Sequence, residues 1–447
     1  MPARVVITGL GSVSALGIGA EALWKGLVEG RAALGPVQAF DASGFPCRLA
    51  GEVKDFAVKD FVPKSYRKAT KVMARDTELA VAAAKLAVED AGLTTRGTGE
   101  DVADTALTYP AARLGCNIGA GLIAAETEEM SQAMVTSVDE RGGFSLAKWG
   151  GGTGESGGGQ GMEALTPLWL LKYLPNMLAC HVTIIHGAEG PSNTITCSEA
   201  SGLLSIGESM RIIERGAADI CFSGSAESKV NPMGLLRMDY GKRMARVPAD
   251  EADGSRIVRP YDPNATGGVI GEGGGIVMLE NADTAKKRSA KVYAEIVGFG
   301  GGQSDPWYSA GADDEGLRSA IENALEDAGI KPEQISCIVP QASGVPLMDT
   351  AEAGALRAVF GQRLGEIPLV TIQPNIGNCV AGASGLQMVV GALCLKHQTL
   401  PARIHHGTPM PGMLAGAAPS RSAKLEYALL TSGSLGGQNA AVVLRAC

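Results

Sequence analysis

Along Ser201 to Arg215 the apolar positions Leu203, Ile206, Met210 and Ile213 recur with helical spacing, while Glu208, Arg211 and Arg215 lie off that stripe. The spacing predicts an amphipathic helix over 202–215, stopped at Gly216, with "DICFSGS" resuming as a strand. Strand and helix patterns of this kind alternate through the chain, which predicts α/β layers with covered sheets. Two segments echo each other: "KLAVEDAGLTT" from Lys85 to Thr95 and "NALEDAGIKPE" from Asn323 to Glu333. Each closes a helix rich in Ala, Leu and Glu, and Gly92 and Gly329 stand where C′ glycines belong. The strand-turn "RVVITGLGSVSALG" precedes the first, and "KVYAEIVGFGG" precedes the second. The shared order predicts an internal duplication, with halves at 1–283 and 284–447. Residues 94–112 and 138–163 read as insertions. The glycine run "WGGGTGESGGGQG" in the second lacks the ending of a phosphate loop and is expected to be a mobile surface loop.

Composition narrows the partners. The chain has 447 residues, 45% of them hydrophobic, and a net charge of -8 with no Lys/Arg block, so neither nucleic acid nor an anionic membrane surface is an expected partner. The opening residues read as a strand and turn, not as a secretion signal. No uninterrupted apolar stretch of about 18 residues predicts a membrane span. Nine cysteines without CxxC spacing fit a reduced, cytoplasmic protein better than a disulfide scaffold or a zinc site. No cofactor or metal is expected.

The stretch "NTITCSEASGLLSIGESM", Asn193 to Met210, has the outline of a nucleophile site: a β-branched run, a tight turn of small residues and an immediate helix. Glu199 stands at the turn. Around it the chain resembles the β-ketoacyl synthases, the condensing enzymes of fatty acid and polyketide synthesis with the thiolase fold. "RVVITGLGSVSALG" is similar to the family's first strand and turn, and "LPNMLACHVTIIHGAEGPSNT" to its dimer-interface segment. "RPYDPNATGGVIGEGGGIVMLE", "GVPLMDTAEAGALRAVFG", "NIGNCVAGASGLQ" and "SLGGQNAAVVL" continue the likeness in family order. The resemblance implies two duplicated α/β halves in a five-layered α-β-α-β-α architecture.

The family's chemistry uses a Cys thiolate at a helix N-terminus, two His that stabilise an enolate, and a Lys. Carried over by motif, the Cys position holds Glu199, the His positions hold Gln341 and Asn378, and the Lys position holds Gln373. The C-terminal loop, where the family has aromatic residues and a gate, is "TSGSLGGQNA", with Gly433 and Leu435 at the aromatic places beside Gly436 and Gly437. Cys197 and Cys379 lie near these positions and read as core residues. None of the five histidines occupies a motif position.

A carboxylate cannot form the thioester that condensation needs. Glu199 is therefore expected to accept backbone N–H groups or pair with a cation, with Gln341 and Asn378 hydrogen-bonding to it or to one another. The resemblance implies a catalytically silent chain-length-factor-like subunit, paired with a catalytic ketosynthase subunit and served by an acyl carrier protein. Two alternatives stay open: decarboxylase or acid/base chemistry on acyl or malonyl thioesters through Glu199, and a homodimeric acyl-binding scaffold.

Overall fold

Gly9 and Gly11, which interrupt the first apolar run, let a strand press directly against a helix. A Cβ at Gly11 would lie 1.9 Å from the Ala83 carbonyl oxygen, and one at Gly9 would lie 2.3 Å from that of Ala87. The same contact recurs in the second half of the chain. A Cβ at Gly300 would lie 2.1 Å from the Ala320 oxygen, and one at Gly298 would lie 2.2 Å from that of Ala324. Two glycines two residues apart on a strand thus meet two carbonyls four residues apart on a helix, once per half.

The computed structural model describes residues 3–150, 161–305 and 314–447. The first half runs β1 (Val5–Ser14), α1 (Arg75–Asp90), β2 (Leu114–Gly119), α2 (Met177–His186), β3 (Ser192–Ile195), α3 (Ser201–Glu214), β4 (Ile220–Ser228) and β5 (Ile270–Asn281). The second runs β6 (Ala294–Gln303), α4 (Glu315–Ala328), β7 (Ile335–Val339), α5 (Pro346–Phe360), α6 (Ala381–His397), β8 (Tyr427–Gly433) and β9 (Gln438–Arg445).

In the first half the strand order is β3-β2-β4-β5-β1, with β2 parallel to β3 and β4, and β5 antiparallel to β4 and β1. In the second it is β7-β8-β9-β6, with β7 parallel to β8, and β9 antiparallel to β8 and β6. A parallel bridge from Ile338 to Leu369 stands beside β7, in the place that β3 takes beside β2. The halves therefore share one topology. They join where Val5–Ile7 of β1 pairs antiparallel with Ala294–Ile296 of β6.

Three apolar layers hold the sheets. Helices α1 and α2 cover the outer face of the first half, and α4 and α5 cover that of the second. Between the sheets lie α3, with Leu203, Ile206, Met210 and Ile213 all buried as its spacing predicts, and α6. Every residue of α6 from Ala381 to Leu395 is buried, so it has no solvent-facing stripe and carries only Ser384 and Gln387 as polar side chains along that length. This is the five-layered α-β-α-β-α thiolase architecture. Gly92 and Gly329 end α1 and α4 with φ of 62° and 64°, the left-handed values of a C′ glycine.

The stretch 94–112 is tied down through short 3-10 turns and the hydrogen bond between Tyr109 and Glu280. In the stretch 138–163, Val138 and Phe144 form an antiparallel bridge and Leu146–Trp149 a helical turn. Its glycine run at 151–160 lies outside the described residues. The division expected near residue 283 falls in the short helix Ala282–Lys287 that links β5 to β6.

Candidate functional site

The turn after β3 is built as its sequence predicts. Ser201 Oγ accepts from the Cys197 N–H at 2.8 Å and donates to the Ser198 carbonyl at 2.6 Å, which clamps Ser198–Ala200 into a 3-10 turn ahead of α3. Ser198 is held at φ 51°, a left-handed conformation that costs a serine about 1–3 kcal/mol. Glu199 follows it and is fully buried. The Ser198 hydroxyl donates to Glu199 Oε2 at 2.7 Å, and Oε1 forms an ion pair with the Arg243 guanidinium.

Arg243 is itself buried. Its N–H donates to the Met238 carbonyl at 3.0 Å, and its own carbonyl accepts from the Gly268 N–H at 2.9 Å, so the backbone fixes where the side chain starts. Burial lowers the guanidinium to about 10, which leaves it charged at neutral pH. Both carboxylate oxygens of Glu199 are occupied. Cys197 is half-buried and Cys379 fully buried, and burial raises both thiols, so neither offers a ready thiolate.

Gln341 is the second residue of the loop that follows β7. Its side-chain Oε1 accepts from the Gly433 N–H at 2.7 Å, at the end of β8. The next residue, Ala342, has φ 49°. Two carboxylates of α5 hold this bend. Glu352 accepts from the N–H groups of Gln341 and Ala342, both at 2.9 Å, from Tyr261 Oη at 2.7 Å and from Thr431 Oγ1 at 3.0 Å. Asp349 accepts from Ser343 Oγ at 2.7 Å and from the N–H groups of Tyr261 at 2.8 Å and Gly344 at 3.1 Å. Gln341, Ser343, Glu352, Gly433, Ser434 and Asn439 line a cavity of about 50 Å³.

Asn378 is buried beside β5, its N–H donating to Val269 O at 2.8 Å and its O accepting from the Gly271 N–H at 2.9 Å. Its side-chain Oδ1 accepts from the Val380 N–H at 2.8 Å. Val380 starts α6 at φ 47°, an outlier for a β-branched residue. Gln373 is buried at the head of the short helix Gln373–Ile376. In the C-terminal glycine loop, Gly433 closes β8, and a turn over Leu435, Gly436 and Gly437 is fixed by Ser434, whose hydroxyl donates to Gln438 Oε1 at 2.6 Å. A Cβ at Gly433 would lie 2.5 Å from Asn439 Oδ1, so any side chain there requires Asn439 to move.

The expected amide pairing is corrected here. Gln341 and Asn378 bind neither Glu199 nor each other through their carbonyl oxygens. Each oxygen is taken by a backbone N–H, and Gln341 Nε2, Asn378 Nδ2 and Gln373 Oε1 have no hydrogen-bond partner among the described residues. Arg243 is the cation that partners Glu199. Sequence reasoning missed it, and it also missed the bidentate pair of Arg75 with Glu272, at 3.0 and 2.9 Å.

Buried acids give this frame a pH signature. Burial raises Asp349 from 3.8 to about 7, and burial likewise raises Asp76 to about 7, with Lys229 opposing and Glu227 reinforcing the shift. A carboxyl raised in the folded state stabilises fully below its unfolded value and loses that contribution as pH rises towards the folded value. Buried His186, lowered to about 3, opposes this loss below its ordinary value of 6.5, so with two raised acids against it thermal midpoints are expected to fall modestly between pH 5 and pH 8. Replacing Asp349 by Asn should flatten that slope, and an unchanged slope would remove Asp349 as its source. The lowered carboxyls of Asp219 and Glu295 act below their ordinary values, outside this window.

The family model for the beta-ketoacyl synthase N-terminal domain matches residues 3–285, and that for the C-terminal domain matches residues 293–406. The chain belongs to the β-ketoacyl synthase family. It is 28% identical over 445 residues to a 3-oxoacyl-[acyl-carrier-protein] synthase 2 of Staphylococcus aureus, covering 99% of this chain and 98% of that protein. Among solved structures it is similar to the ishigamide ketosynthase/chain length factor, with TM-score 0.80, 26% identity and full coverage of both chains. A type II PKS ketosynthase in complex with its acyl-carrier protein shares the fold, with TM-score 0.81, 23% identity and full coverage of both chains. Among the described residues no helix is long and apolar enough to cross a membrane, and no cluster of His, Cys, Asp or Glu is arranged to hold a metal.

Proposed function

We propose that this chain is a ketosynthase-family subunit without condensing activity of its own, acting as a chain-length-factor-like partner of an active ketosynthase. The observation that carries the reading is the ion pair of Glu199 with Arg243, buried at the turn where the family places its nucleophile. A carboxylate paired on both oxygens is neither an acyl acceptor nor a free base, since a general base needs a substrate proton within hydrogen-bond reach. The amides at Gln341 and Asn378 are neutral groups whose oxygens are committed to the backbone, which supports the same reading. An acyl carrier protein would deliver its chain to the assembly, with the covalent step on the partner's cysteine.

The test has two parts. Intact-protein mass spectrometry after incubation with acyl- and malonyl-carrier protein is expected to show no adduct on this chain and no decarboxylated substrate. Co-expression with the ketosynthase of its own host is expected to yield a one-to-one complex that condenses. Turnover by the isolated chain that Glu199→Ala abolishes would replace this reading with chemistry at Glu199. A stable homodimer that ignores every host ketosynthase would replace it with the scaffold reading.

A further inference from the structure

Two buried carboxylates share one buried lysine behind the loop 120–126, which follows β2. Lys229 is ion-paired with Glu227, and its Nζ donates to the Leu122 carbonyl at 2.9 Å. Glu227 is fully buried and accepts from the Ala381 N–H at 2.7 Å, at the head of α6 near Asn378. Asp76, at the start of α1, is 3% exposed, and its Oδ1 has no hydrogen-bond partner among the described residues. The charges that act on Asp76 are those of Lys229 and Glu227. Arg237, which is exposed, donates to the same Leu122 oxygen at 3.1 Å. The loop is tied to the Glu199 turn as well, because the Ala120 carbonyl accepts from Ser201 Oγ at 3.1 Å.

The other charged groups packed around α1 are engaged elsewhere. Arg75 pairs with Glu272 and Glu78, His181 bonds to Tyr66, His186 bonds to Thr95, and Glu280 pairs with Arg288. Lys59, Asp60 and Arg96 lie exposed, and β1 carries no titratable side chain. One lysine cannot neutralise two buried carboxylates, so one acid keeps a proton. Burial pushes Asp76 from 3.8 up to about 7, which makes it that acid. Protonated, Asp76 leaves Lys229 to Glu227 and the Leu122 oxygen. Ionised, it competes for Lys229 and needs water, and both demands loosen the loop that covers it.

We propose that Asp76, Glu227 and Lys229 form a proton-operated catch, which holds the loop 120–126 closed while Asp76 keeps its proton and loosens it as the proton leaves. Through Ser201 and the Ala381 N–H, the catch reaches the Glu199 turn and the head of α6. Opening returns Asp76 to its ordinary value, so each opening releases a proton. Linkage then makes opening about tenfold easier per pH unit, from the ordinary value up to the folded value, and level above it. Hydrogen exchange of the full-length chain, followed by mass spectrometry between pH 5 and pH 8, tests this.

Asp76→Asn mimics the protonated acid, and comparing it with wild type at each pH cancels the intrinsic exchange rate. In peptides covering 120–126, the ratio of wild-type to variant exchange is expected to rise about tenfold per pH unit up to about pH 7 and then stay level. Peptides of α4 should show no such rise. Glu227→Gln gives Lys229 to Asp76 alone, so the ratio should level off at a lower pH. If Asp76→Asn does not fold, the wild-type ratio of loop peptides to α4 peptides reads the same rise. A ratio that stays flat from pH 5 to pH 8 overturns the inference. An equal rise in α4 also overturns it, because the proton would then be linked to unfolding of the whole chain and not to the loop.

Discussion

Arg243→Met is expected to destabilise the chain by about 3–5 kcal/mol at pH 8, the cost of leaving one member of a buried ion pair without its partner. Glu199 is fully buried, and in the variant only the Ser198 hydroxyl would still reach it. The carboxyl would then take up a proton, so its folded-state value rises. A raised carboxyl loses stability as pH increases, so the defect should be smaller at pH 5 than at pH 8. Urea denaturation at both pH values reads the two effects together.

The double variant Glu199→Gln/Arg243→Met separates the pair from its parts. Replacing both charges of a buried pair with neutral groups of similar volume is often neutral or stabilising by about 1–4 kcal/mol. The double variant should therefore recover most of what Arg243→Met loses, and the cycle should give a large coupling energy. A single Arg243→Met variant as stable as wild type at pH 8 would mean that the pair is not closed in solution. It would also remove the main support for a silent site.

The frame of this site was legible in the sequence, and its wiring was not. The duplication showed because a helix-ending glycine answers to a local rule, and both halves repeat one within a shared phrase, at Gly92 and Gly329, whereas the matching contacts of Gly9–Gly11 and Gly298–Gly300 showed only in the fold. The strand, turn and helix around Glu199 showed for the same reason. Arg243 did not show because "GKRMAR" contains three cations, and only the tertiary fold decides which is buried: Lys242 and Arg246 are exposed, and Arg243 is not. The expected amide pairing failed through local competition. Asn378 Oδ1 meets the N–H two residues ahead, a geometry that its own backbone offers before any distant partner can. Backbone strain also survives around three of the four family positions, at Ser198, Ala342 and Val380. Strained residues cluster at working sites, and on the reading proposed above these three hold a frame that condensation on this chain does not use.

At Ala342 that strain is held by Glu352, and Glu352→Ala is expected to release it at a cost above about 4 kcal/mol. The variant deprives four buried groups of their acceptor: the N–H groups of Gln341 and Ala342, Tyr261 Oη and Thr431 Oγ1. Each buried donor left unpaired costs about 1–3 kcal/mol, and water entering the space restores only part of the sum. Losses of that size are rare for single substitutions and arise from networks such as this one. Glu352→Gln keeps one carbonyl acceptor but turns an amide N–H₂ towards donors, so it should fall between wild type and Glu352→Ala. Adding Ala342→Gly to Glu352→Ala should return about 1 kcal/mol, because glycine adopts the left-handed bend without a Cβ penalty. Soluble yield and the urea midpoint measure the series. A Glu352→Ala chain that melts with the wild type would show that the bend at Gln341 is held by the sheet and not by α5. In that case a reactive side chain could be rebuilt at Gln341 without regard to Glu352. If the loss is as large as expected, the acid on α5 fixes where position 341 points, whichever residue occupies it.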